Sequence, residues 1–138
     1  METSRYQNGI NKIMEFTDPN SQTNAAQLKI EENFKDIAPD VSRFMIEFAY
    51  GEVYTRSGLD NKQRMLITIS SLVTQGMFPQ LEIHINGSLT AGLTPDEIIE
   101  TFIHLLPYVG FPRVLNAVDV AKRVFAQRGV AVTAATAD

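Results

Sequence analysis

Thr94-Pro95-Asp96-Glu97-Ile98-Ile99-Glu100-Thr101-Phe102-Ile103-His104-Leu105-Leu106 is the stretch that decides the fold. Thr94 and Glu97 form a capping box: the Thr hydroxyl accepts from the third amide and the Glu carboxylate reaches back to the cap. Pro95 suits the first helical position. Ile98, Ile99, Phe102, Ile103, Leu105 and Leu106 then recur at helical spacing, until Pro107 and Gly110 are expected to stop the helix.

The same device opens an earlier helix. Gly58-Leu59-Asp60-Asn61-Lys62-Gln63 echoes Gly92-Leu93-Thr94-Pro95-Asp96-Glu97, and the helix from Asp60 to about Gln75 is apolar nearly all round. It should therefore lie at a domain or oligomer centre. Elsewhere the periodicity predicts a weak helix over 5–15, a helix from Asn24 to Ile37, and one N-capped by Asp40 that ends near Tyr50-Gly51. Glu52–Leu59 is read as a connector. Helices over Pro79–Ala91 and from Pro112 to about Gln127 follow.

No strand alternation of any length competes with this pattern. The expectation is an all-α fold of six or seven helices. Its segments are a 1–23 N-terminal stretch, a 24–128 helical domain and a flexible 129–138 tail. The helices at 60–75 and 94–106 are too apolar for one small monomer to cover, which favours a homo-oligomer.

Composition excludes whole classes of chemistry. The chain has 138 residues and no cysteine, so it has no disulfide, thiolate nucleophile, Fe–S cluster or Cys-type zinc site. It has two histidines, His84 and His104. The formal net charge is −4, carried by residues 1–60, and no Lys or Arg lies between Arg64 and Arg113. A nucleic-acid partner, which needs a basic stripe, is not expected. The first residues lack the basic start and apolar run of a signal peptide, and Met65–Leu81 is too interrupted to span a membrane. The default is a soluble cytoplasmic protein.

Candidate chemistry is sparse. His84 sits one step off the Leu81/Ile85/Leu89 stripe, on the side of Ser88, at a border where an imidazole can be tuned for proton transfer; a structural histidine is the bland alternative. His104 lines up with Glu97 and Glu100, which is half a metal site or, more simply, a solvated face. Glu52 is a base, an orienting partner or a surface charge. An anionic substrate near the apolar centre would have to draw on Arg56, Arg64 or Arg113. Motifs for phosphate loops, zinc proteases, serine hydrolases and calcium loops are missing.

Taken as strings, five segments resemble the carboxymuconolactone decarboxylase family in order. They are Gly51-Glu52-Val53-Tyr54-Thr55-Arg56-Ser57-Gly58-Leu59-Asp60, Arg64–Leu72, Leu81-Glu82-Ile83-His84-Ile85-Asn86-Gly87-Ser88-Leu89, Gly92–Glu100 and Tyr108–Arg113. The likeness covers about residues 25–127. It implies a helical fold resembling alkylhydroperoxidase D, assembled into trimers or hexamers. That branch carries a Cys-x-x-Cys pair where this chain has Met77 and Gln80, so thiol peroxidase chemistry is set aside.

The remaining branch resembles the decarboxylase of the protocatechuate pathway and needs neither cofactor nor metal. It implies His84 as proton donor and Glu52 as the acid that orients it and keeps it protonated. Arg64, Arg56 and Tyr54 are implied to contact a small lactone or oxo acid. The competing expectation is a non-catalytic oligomeric binding or scaffold protein of the same fold.

Overall fold

The computed structural model describes residues 4–20 and 26–133, which fall into two compact units, Met1–Asn61 and Lys62–Asp138. Every regular element among the described residues is helical.

In the first unit, α1 (Ser4–Met14) packs on a π-helical segment, Met45–Val53. The contact is backbone to backbone. A Cβ on Gly9 would overlap the carbonyl of Ile46, and one on Gly51 would stand 2.5 Å from the carbonyl oxygen of Arg5. Ile13, Phe16, Ile46 and Tyr50 close the core around this crossing. Helices α2 (Ala26–Phe34) and α3 (Pro39–Phe44) precede the π segment. Residues 24 and 25, where α2 was expected to begin, lie outside the described residues.

Two expectations fail in this unit. Asp40 does not cap α3: the helix starts at Pro39, Ala38 holds the cap position, and the Asp40 carboxylate pairs with Arg43 at 3.0 Å. The following helix also does not stop near Tyr50-Gly51. It widens into π geometry, with the Tyr54 N–H donating to the Ala49 carbonyl at 2.9 Å, and so carries Glu52 on a helix rather than on a loop. An i→i−5 turn is not favoured by local sequence; here it is the turn packed against α1.

In the second unit α7 (Phe111–Arg128) packs against both α5 (Phe78–Thr90) and α6 (Pro95–Val109), and α4 (Asn61–Gln75) leads into them. The capping box of α6 is present: the Glu97 N–H donates to the Thr94 hydroxyl at 3.0 Å, and the Thr94 N–H to Glu97 Oε1 at 2.9 Å. That hydrogen bond from the Thr94 backbone holds the Glu97 carboxyl below its ordinary range.

Pro107 does not end α6. The helix runs on to Val109, and the Gly110 N–H still reaches the Leu106 carbonyl. Pro107 removes only the bond to the Ile103 carbonyl, and both residues are exposed, so water can take that acceptor. Gly110, at φ 86°, makes the turn into α7. α4 is also less apolar in effect than its sequence reads: it buries one stripe, Met65, Ile69 and Val73, and leaves Ile67 exposed.

Beyond α7, the Thr133 N–H and hydroxyl both donate to the Asp96 carboxylate, tying residue 133 to the first turn of α6. None of the described helices is long and apolar enough to cross a membrane.

Candidate active site

Each candidate residue is placed by a different local cause. α5 starts at Phe78-Pro79, where the proline ring suits the first turn, and buries Leu81, Ile85 and Ser88. His84 therefore lands half-buried at the edge of that stripe, as its spacing predicts. The Ser88 hydroxyl donates to the His84 carbonyl at 2.6 Å. No side chain among the described residues hydrogen-bonds the imidazole. With water stripped from it and no anion alongside, burial pushes His84 down to about 4. At neutral pH the ring is uncharged.

Glu52 is engaged elsewhere. Its Oε1 pairs with Arg5 Nε of α1 at 2.8 Å, and both side chains are about half exposed. Arg5 is the residue that sequence reasoning missed. Nothing in the spacing of the chain links its first helix to residue 52, and the pairing exists because Gly9 and Gly51 let the two backbones touch.

Tyr54 belongs to an aromatic cluster. Its ring stacks on Tyr50 at 4.7 Å and meets the edge of Phe16 at 5.7 Å. Arg56 is exposed in the turn after the π segment, and Arg64 is half-buried in the first turn of α4. Arg113 is exposed, with its Nε close to Gly76 in the turn between α4 and α5. Met77 is exposed and caps α5, and Gln80 is exposed in the first turn.

His104 lines a groove of about 490 Å³ with Leu66, Ser70, Glu97, Glu100 and Thr101. Its ring lies against Tyr108 at 5.7 Å rather than against a carboxylate. Among the described residues no group of three or more histidine or acidic side chains is disposed to hold a metal ion.

Comparison with known proteins fits this geometry into a lineage. A 4-carboxymuconolactone decarboxylase of Acinetobacter baylyi is 36% identical over 100 residues, covering 72% of this chain and 75% of the relative. A 15.0 kDa protein of Paracoccus denitrificans is 34% identical over 93 residues, 66% of this chain and 69% of its own length. A nitrosuccinic acid decarboxylase of Metarhizium robertsii is 36% identical over 77 residues, 56% of this chain and 54% of the relative. Two of these three are named for the loss of carbon dioxide. The sequence model of the Carboxymuconolactone decarboxylase family matches residues 39–123, from the start of α3 into α7 and across Glu52 and His84. On that match and those identities, the chain belongs to the carboxymuconolactone decarboxylase family.

Proposed function

We propose that the protein is a cofactor-independent decarboxylase of small dicarboxylic acids and that His84 delivers the proton. The observation that carries this reading is the place of His84, half-buried at the edge of α5 within the stretch that matches a decarboxylase family.

The two substrates named for relatives share a skeleton that defines the class. In carboxymuconolactone and in nitrosuccinic acid, one carbon bears a carboxylate, a carboxymethyl arm and an electron sink. The sink is an unsaturated lactone in the first and a nitro group in the second. The bond to the carboxylate carbon breaks, carbon dioxide leaves, and the electron pair moves into the sink, which becomes an oxyanion. The pair then returns to carbon and takes a proton.

The donor must be an imidazolium, because a neutral imidazole N–H is far too weak an acid. At pH 7 a group titrating near 4 is in that form roughly once in a thousand. A bound dianion moves the balance toward the cation, since negative charge nearby favours the protonated ring in a dry site. Substrate thus loads the proton that its own product carries away. Glu52 has a positioning part in this scheme, and Arg64, Arg56 and Tyr54 are assigned to substrate contact. The exposed Ile67, Ile103, Tyr108, Phe111 and Leu115 support assembly into a homo-oligomer, a trimer or hexamer in this reading, and the cytoplasm is the compartment proposed for it.

The test is an ultraviolet assay of γ-carboxymuconolactone loss, run beside nitrosuccinate and a panel of β-keto and lactone acids. Turnover of at least one of these is expected, and His84→Ala should lower it at least 100-fold. Activity within tenfold of the parent in that variant removes His84 from the mechanism. Silence across the whole panel favours the binding-protein alternative.

A further inference from the structure

We propose that the apolar groove between α6, α7 and residues 130–132 is a binding site for a medium-chain aliphatic monocarboxylate. It uses none of the residues assigned to the decarboxylase reaction, so it stands whether or not that reading holds.

Three observations carry it. The first is the groove itself. Its volume is about 460 Å³, within the span of small-molecule sites, and Ile99, Val118, Phe125, Val130 and Val132 line it. Apart from Lys122, its lining holds no charged or polar side chain.

The second is that one wall is tied in place at both ends. α7 closes on Gly129, whose φ of 66° turns the chain, and the Val130 N–H donates to the Phe125 carbonyl at 3.0 Å. That bond belongs to a Schellman cap, which brings the residue after the glycine back over the last helical turn. Three residues on, the Thr133 N–H and hydroxyl both donate to the Asp96 carboxylate in the first turn of α6. Residues 130–132 therefore run from α7 to α6 between two tethers. A wall already in place spares a ligand the cost of ordering it.

The third is Lys122. It is exposed on α7, and among the described residues its ammonium has no hydrogen-bond or ion-pair partner. A lysine so placed lays its stem along an apolar lining and keeps its charge in water.

One cation beside otherwise apolar walls fits a single anionic head on an aliphatic tail. A second carboxylate would have to enter among Ile99, Phe125 and Val132 with nothing to pair it, which is costly. The dicarboxylic acids of the proposed reaction are thereby excluded from this groove. A second copy of the chain is a poorer occupant. The exposed Tyr108, Phe111 and Leu115 lie at or near the α6–α7 turn, whereas the groove lies toward the far ends of these helices.

The experiment follows the methyl resonances of Ile99, Val118 and Val132 in the whole chain. Hexanoate, octanoate, octanol and suberate are titrated in below any micellar concentration. Octanoate should shift these methyls to saturation, and hexanoate should bind about 4- to 15-fold more weakly for its two missing methylenes. Octanol should bind about 3- to 10-fold more weakly than octanoate for want of the charge. Suberate, with a carboxylate at each end, should leave the methyls unmoved. Lys122→Met keeps an apolar stem and loses the ammonium, and should bring octanoate down to the level of octanol. Methyls that octanoate does not move, or that suberate moves equally, overturn the proposal, as does full octanoate affinity in Lys122→Met. So do shifts of the same methyls on dilution of the protein alone, which would place a second copy in the groove.

Discussion

Gly9 of α1 lies so close over the Ile46 carbonyl of the π segment that no side chain can stand between them. The contact sets the crossing of the two helices, and with it the reach of Arg5 to Glu52. Gly9→Ala tests it. In a free helix the substitution would gain about 1 kcal/mol of propensity. Here the added methyl meets backbone, which cannot rotate away, and overpacking of that kind costs about 1–3 kcal/mol or more. The net is expected to be a loss, read as a lower urea midpoint, and equal or higher stability would show that the helices can slide apart.

How far the sequence discloses this molecule depends on whether a feature is local. The α6 cap is legible because Thr94 and Glu97 are three residues apart and each satisfies the other. His84 is legible because one position off a leucine and isoleucine stripe on a helix is the edge of the buried face. The π geometry of Met45–Val53 is not, since the partner that it packs on is α1 and no spacing within 45–53 records that. Arg5 is hidden for the same reason. Pro107 misleads in the other direction: the carbonyl that it orphans belongs to Ile103, which faces out, so water can take the lost bond and the helix runs on for its last turn.

The α6 cap itself is open to measurement. Thr94→Ala removes the acceptor for the Glu97 N–H and should cost about 1 kcal/mol. Because Glu97 titrates below its unfolded value, the carboxylate's contribution is present above the ordinary Glu range and fades as pH falls through the lowered folded value. The difference between parent and Glu97→Gln in urea unfolding should therefore be larger at pH 7 than at pH 3. A difference independent of pH would detach the Glu97 arm from the cap.

His84 gives stability a second dependence on pH, with its own window. The folded imidazole titrates near 4 and the unfolded one near 6.5. Below 6.5 the unfolded chain takes up a proton that the folded chain refuses, so stability falls as pH drops from about 6.5 to 4 and levels off beneath. The full swing is of order 3 kcal/mol. His84→Gln should flatten the unfolding free energy across that window, and a variant that keeps the parent's slope between pH 6.5 and 4 would place the acid sensitivity elsewhere.

The same low value makes a prediction about binding. If a dianionic substrate converts His84 to its cation, complex formation at pH 7 must draw a proton from the buffer. Calorimetry of a non-reacting dicarboxylate such as succinate, repeated in buffers of different ionisation enthalpy, should report uptake of up to one proton per site. The uptake should diminish as pH falls toward 4, where the free imidazole is already half charged, and vanish in His84→Gln. Electrostatics fixes the sign, because an anion entering a desolvated site can only raise the affinity of the imidazole for its proton. Binding without uptake at pH 7 would mean that His84 stays neutral in the complex, and the proton that replaces carbon dioxide would then have to come from water.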